Sequence, residues 1–162
     1  MANVALGLLV VAAAAAVMLE AYPLHASCKL TWEFSIDCST VYDMLLKQIS
    51  VYNNTDCGTT EKCGYALLAA TGSEIDATHT TPVHHYVDTL SMVFASSAGG
   101  GCTVNGKSSS NIWYAVLDDG TNYCNLHNLL TGAGLNSSSY GFVETTSNSI
   151  CTQYSSANCS VY

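Results

Sequence analysis

Eight cysteines, Cys28, Cys38, Cys57, Cys63, Cys102, Cys124, Cys151 and Cys159, constrain this 162-residue chain more than any other feature. An even set spread along a small chain reads as a disulfide framework of up to four bridges, formed in an oxidising compartment. No C-x-x-C pair is present, so the spacing does not suit a zinc site. Cys57 and Cys63 fall in one turn-rich stretch, and Cys151 and Cys159 bracket the tail, so both pairs are expected to close local loops. Cys28, Cys38, Cys102 and Cys124 then pair among themselves, in an order the sequence does not choose.

The N-terminal segment agrees with that compartment. Val4 to Leu19 is apolar and closed by Glu20. It is long enough for the core of a secretory signal and shorter than the roughly 20 residues of a spanning helix. Ala21 and Ala26 offer cleavage points. Residues 1–26 are therefore expected to be a signal peptide and residues 27–162 a single secreted, extracellular, disulfide-rich domain. Removing 26 of 162 residues leaves 136, enough for one core. Asn53, Asn136 and Asn158 each open an N-x-[ST] sequon and are the candidate glycosylation sites. The third has Cys159 in its middle position, where a bridge competes with glycan addition.

Charge narrows the partners. Four lysines, no arginine and twelve acidic residues give a net charge of −8. Nothing in the chain can neutralise a run of phosphates, which excludes electrostatic nucleic-acid binding. A polybasic membrane-surface role is disfavoured for the same reason. After leader removal no stretch is apolar for long enough to insert stably in a membrane. An extracellular protein or glycan remains as partner, with the oligomeric state open.

Periodicity supplies the elements. Leu30, Trp32, Phe34 and Ile36 alternate with polar residues as a half-buried strand does. Ser39 is placed to cap a helix over Thr40–Tyr52, with Val41, Met44, Leu45, Gln48, Ile49 and Tyr52 on one stripe. Further strands are expected at Tyr65–Ala70, at Glu74–Thr81 with Ile75, Ala77 and His79 on one face, at Tyr86–Ala95 and at Ile112–Leu117. Asn105-Gly106 carries the strongest tight-hairpin signal, and the run Ser96–Gly101 reads as a mobile loop. Asn122–Leu130 suits a short helix with Tyr123, Leu126, Leu129 and Leu130 inward. The sum is an α+β fold: an antiparallel sheet with one main helix packed on a face, stapled by disulfides.

The segment HTTPVHHYVD gathers His79, His84, His85 and Asp88, residue types that ligate zinc or copper. On a strand, however, His84, Tyr86 and Asp88 share one face while His85 faces away, and Pro82 restricts the return of His79. No bound transition metal is expected there, and no cofactor elsewhere; a pH response is the alternative role. No G-x-S-x-G elbow presents a serine nucleophile, and an even cysteine set leaves no free thiol. Paired carboxylates would have to come from Asp118, Asp119, Glu33 or Glu144, of which Asp118-Asp119-Gly120 is more simply a turn. No catalytic residue is assigned. Ten tyrosines against three phenylalanines favour rings with a polar handle. Tyr114, Tyr123, Tyr140, Tyr154 and Tyr162 are read as half-buried sheet residues or as a recognition face.

Three stretches, HTTPVHHYVD at 79–88, WYAVLDDGTNYCNLHNL at 113–129 and CTQYSSANC at 151–159, stand with an opening C-x-x-T-W-x-F at Cys28–Phe34. Together they resemble a group of small secreted cysteine-rich proteins of fishes and aquatic invertebrates, over nearly all of the chain after the leader. The resemblance implies secretion and disulfides and carries no activity, cofactor or site assignment. Three functional classes follow. The first is a non-catalytic secreted component of matrix, mucus or surface coat. The second is a soluble binding module holding a small apolar ligand or a glycan between sheet and helix. The third is a small secreted hydrolase or defence protein. An interior cavity favours the second, and a histidine bonded to a carboxylate in a cleft favours the third.

Overall fold

The computed structural model describes residues 23–162; the apolar block Val4–Leu19 and the cleavage point Ala21 lie outside them. In chain order the elements are β1 (Ser27–Phe34), α1 (Cys38–Tyr52), β2 (Tyr65–Ala70), β3 (Glu74–Thr80), β4 (Val87–Ser96), β5 (Cys102–Ser110), α2 (Thr121–Gly132) and β6 (Val143–Thr145). The six strands make one antiparallel sheet in the order β2-β3-β4-β5-β1-β6. Residues of α1, α2 and the sheet share a single core cluster. The architecture is the disulfide-stapled α+β fold that the periodicity predicts. No helix among the described residues is long and apolar enough to cross a membrane.

Period-two burial is what closes the sheet against the helices. Leu30, Trp32 and Phe34 of β1, Ile75 and Ala77 of β3, and Leu90, Met92 and Phe94 of β4 point into the core. Against them α1 sets Val41, Leu45 and Ile49, all essentially fully buried at helical spacing. Each such side chain contributes roughly 1.5–3 kcal/mol relative to exposure. The cap of α1 is Asp37 rather than Ser39. Its carboxylate accepts from the Thr40 backbone N–H and from the hydroxyls of Ser39 and Thr40. These bonds, led by that from Ser39, hold it down to about 2. Ser39 is inside the first turn and serves the cap instead of being it.

Two expectations fail for one reason: β5 is a central strand. Asn105-Gly106 is no hairpin turn, because Gly106 pairs with Leu30 on one side and Met92 on the other, leaving no room for the chain to reverse. The glycine serves close packing. A Cβ there would stand 2.8 Å from Leu30 Cδ1 and 3.5 Å from Leu126 Cδ1. Ile112–Leu117 is likewise no strand, since both edges of β5 are taken before it begins. It runs instead as an irregular segment, tied down where the Ala26 N–H donates to the Ala115 carbonyl at 2.9 Å. The run after β4 is an exposed tight turn, with a short 3-10 stretch at Ala98–Gly100.

Four disulfides are formed, and Cys57–Cys63 closes its local loop as expected. The tail does not close on itself. Cys151 joins Cys28, Cys159 joins Cys124 of α2, and Cys38 joins Cys102. Backbone bonds explain the change. Lys29 N–H donates to the Ile150 carbonyl and Thr152 N–H to the Ser27 carbonyl, which lays the tail beside β1 with Cys151 opposite Cys28. Cys159 is then carried on to α2.

Non-reducing peptide mapping should recover these four pairs; a fragment joining Cys151 to Cys159 would refute the register of the tail. In the chain-entropy picture, replacing Cys28 and Cys151 by alanine should cost about 5 kcal/mol, against about 2 kcal/mol for the Cys57–Cys63 pair. Denaturant titration of the two double variants measures the difference.

Candidate ligand cleft

At one end of the sheet, where β4 begins, β5 ends and α2 starts, lies a cleft of about 540 Å³. That volume falls within the range of small-molecule sites. One wall is the turn between β3 and β4, which supplies Thr81, Val83, His84 and Tyr86. This turn is closed by bonds from the His85 N–H to the Thr81 carbonyl and from the Tyr86 N–H to Thr81 Oγ1. The opposite wall is the irregular run Ile112–Asp119, and Glu61 and Tyr162 complete the lining. Asp88, Ser110, Thr121 and Asn122 come from the sheet and from the start of α2.

A buried hydrogen-bonded chain sets this end in place. Asn125 Nδ2 donates to Asp88 Oδ2 at 2.8 Å and lies 3.1 Å from Ser108 Oγ. Ser108 Oγ donates to Asn122 Oδ1 at 2.7 Å, and Asn122 Nδ2 donates to Asp118 Oδ2 at 2.7 Å. Two carboxylates of the cleft are thus joined through β5 and α2. Asp118 also accepts from the backbone N–H groups of Gly120 and Asn122, starting the helix. Gln153 Oε1 in turn receives the N–H groups of Asp118 and Asp119. Gly120, at φ +82°, turns the chain where Ala157 packs so closely that any side chain would collide.

Burial shifts Glu61, Asp88 and Asp118 upward. Desolvation, reinforced by Asp88, raises the Glu61 carboxyl to about 7, and its buried Oε2 has no hydrogen-bond partner. Asp88 and Asp118 are also raised, chiefly by burial, with their asparagine donors pulling the other way. Behind them His79 is fully buried against Tyr65 at 4.6 Å between rings. Its Nε2 bonds to the Glu61 carbonyl at 3.1 Å. Burial lowers it to about 4.

The histidine segment does not converge. His84 and Asp88 line the cleft, His84 stacked on Tyr86 at 5.2 Å. His85 sits exposed at φ +55°, and His79 is in the core. Among the described residues no three His, Cys, Asp or Glu side chains are grouped to hold a metal ion. Of the other carboxylates, Asp118 and Asp119 line the cleft at a turn, Glu33 is exposed on β1, and Glu144 of β6 accepts from Trp32 Nε1 and the Tyr123 hydroxyl. Tyr123 also meets His127 Nδ1 at 3.1 Å, so this histidine reaches its carboxylate only through a phenol, and outside the cleft. The five tyrosines are neither strand residues nor one face. Tyr114 and Tyr162 line the cleft, Tyr123 and Tyr154 pack edge to face elsewhere, and Tyr140 lies in the turn before β6. Asn53, Asn136 and Asn158 are all exposed.

Sequence reasoning missed Glu61 and the buried asparagines Asn122, Asn125 and Asn128. The signal for the latter was their spacing of three along α2, which puts them on one helical face. Reading only its leucines hid a polar stripe.

Replacing Asn125 by alanine should cost about 2–3 kcal/mol in denaturant titration, because it strips a donor from buried Asp88. Glu61 and His79 give opposite pH slopes. The folded state holds the extra Glu61 proton between about pH 4.5 and about pH 7, so this group costs stability as pH rises through that window. His79 stays neutral when folded, so it costs stability as pH falls from about 6.5 to about 4. The melting-temperature advantage of Glu61→Gln over the native chain should therefore grow from about pH 4.5 to about pH 7 and then level off. A difference independent of pH in calorimetry would show Glu61 to be ordinary.

No protein-family model matches this chain, and no curated protein matches it.

Proposed function

We propose that this is a secreted, non-catalytic binding module whose working surface is the cleft at the α2 end of the sheet. The cleft carries the reading: its walls mix aromatic rings, aliphatic side chains and carboxylates on two loops braced by a buried polar chain. Four disulfides and the absence of a spanning helix among the described residues fit a small extracellular protein. The apolar leader, the exposed sequons and the resemblance to small secreted proteins support the same compartment. Ala26 is fully buried and bonded to Ala115 and Ser110. A cut at Ala21 keeps those bonds to the cleft wall, and a cut at Ala26 loses them. A matrix, mucus or coat component needs no such cleft, and the hydrolase reading lacks its histidine–carboxylate pair there.

Amide NMR spectra of isotope-labelled protein, recorded with a fragment library of amines, saccharides and carboxylic acids, test this reading. Shifts should concentrate on residues 81–88 and 110–122. Hits scattered over other surfaces, or none, would overturn it.

A further inference from the structure

We propose that the cleft takes an organic cation, an ammonium group carried on an apolar or aromatic skeleton. The inference rests on the binding reading above and names its ligand class. Glu61, Asp88, Asp118 and Asp119 line the cleft, and no lysine does, in a chain that has no arginine. An anionic ligand meets repulsion from every side, and an acidic cleft concentrates cations. An inorganic cation is poorly served: Asp118 already spends both oxygens on α2, and no three ligating side chains are grouped.

The hydrogen-bonding inventory points the same way. Glu61, which lines the cleft, has in Oε2 a buried acceptor with no donor. An ammonium brings only donors. A neutral saccharide could fill the volume, but its hydroxyls bring acceptors as well as donors and no charge to answer the acids. Tyr86 and Tyr114 offer ring faces on which a cation is attracted electrostatically. Val83, Val116 and Leu117, each more than half exposed at the rim, give a hydrocarbon skeleton somewhere to lie.

Binding is then coupled to proton release. Glu61 faces Asp88 of β4, Tyr65 of β2 and, through its own carbonyl, His79 of β3, with Asp118, Asp119, His84 and Tyr162 lining the same cleft and Lys62 next to it in the chain. Burial and Asp88 keep its carboxyl largely protonated below about pH 7. An ammonium favours the carboxylate, so affinity rises with pH across neutrality.

Titration calorimetry of the intact secreted protein at about pH 6 and about pH 8 tests this with four probes. These are phenethylammonium, the neutral analogue 2-phenylethanol, the anion 3-phenylpropionate and a neutral N-acetylglucosamine trimer. The ammonium should bind at least about tenfold tighter than the alcohol, tighter at the higher pH, and with proton release read from buffers of different ionisation enthalpy. The anion should not bind. Glu61→Gln should abolish the proton release, and Tyr114→Leu, at an exposed position, should weaken the ammonium more than the alcohol. If the alcohol or the sugar binds as tightly as the ammonium and shifts the cleft amides, the cation assignment falls and the binding reading stands. If no probe shifts the cleft amides, both fall.

Discussion

The hydrogen-bonded path from Asp88 through Asn125, Ser108 and Asn122 to Asp118 is the constraint on which this end of the molecule depends. Burying two carboxylates costs several kcal/mol unless donors meet them. Here the donors come from α2, from Gly120 that caps its start, and from the strand beneath it. Ser108 is the hinge of the chain, accepting from one asparagine and donating to the other, so its hydroxyl direction is fixed. The helix can sit on the sheet in one rotation only, because any other would strand at least one of these groups without a partner.

That rotation decides what α2 does along its length. Leu126, Leu129 and Leu130 complete the core shared with α1, while Asn122 and Asn125 donate to Asp118 and Asp88 and Asn128 donates to the Tyr162 carbonyl. Gly132 lets the end of the helix approach Gln48 and Tyr52 of α1 so closely that a Cβ would collide with both. One helix is thus apolar where it meets the other and polar where it meets the cleft. Thr121 and Asn122 at its start line the cleft between the two loops.

Much of the fold was legible because alternation and helical spacing report burial directly. β1, β3 and α1 appear where the pattern puts them, and Ile75, Ala77 and His79 share a face as the period requires. What was not legible is non-local. Gly106 looks like a turn residue until two neighbouring strands bracket it, and Cys151 looks local until β1 draws the tail across. The cleft escaped the sequence for the same reason. Its parts come from residue 61 to residue 162, and a buried acid such as Glu61 is indistinguishable in sequence from a solvated one.

The crossing pattern of the disulfides also bears on how the molecule survives proteolysis. The exposed turn between β4 and β5 is the natural place for a nick, being glycine-rich and outside the core. A cut after Gly99 divides the eight cysteines into two sets of four, with Cys57–Cys63 within one part and Cys124–Cys159 within the other. Cys28–Cys151 and Cys38–Cys102 span the break, so the severed halves stay covalently one molecule. Both loops that wall the cleft lie away from that turn, one on each half, and the two linkages keep them facing each other after the backbone is cut.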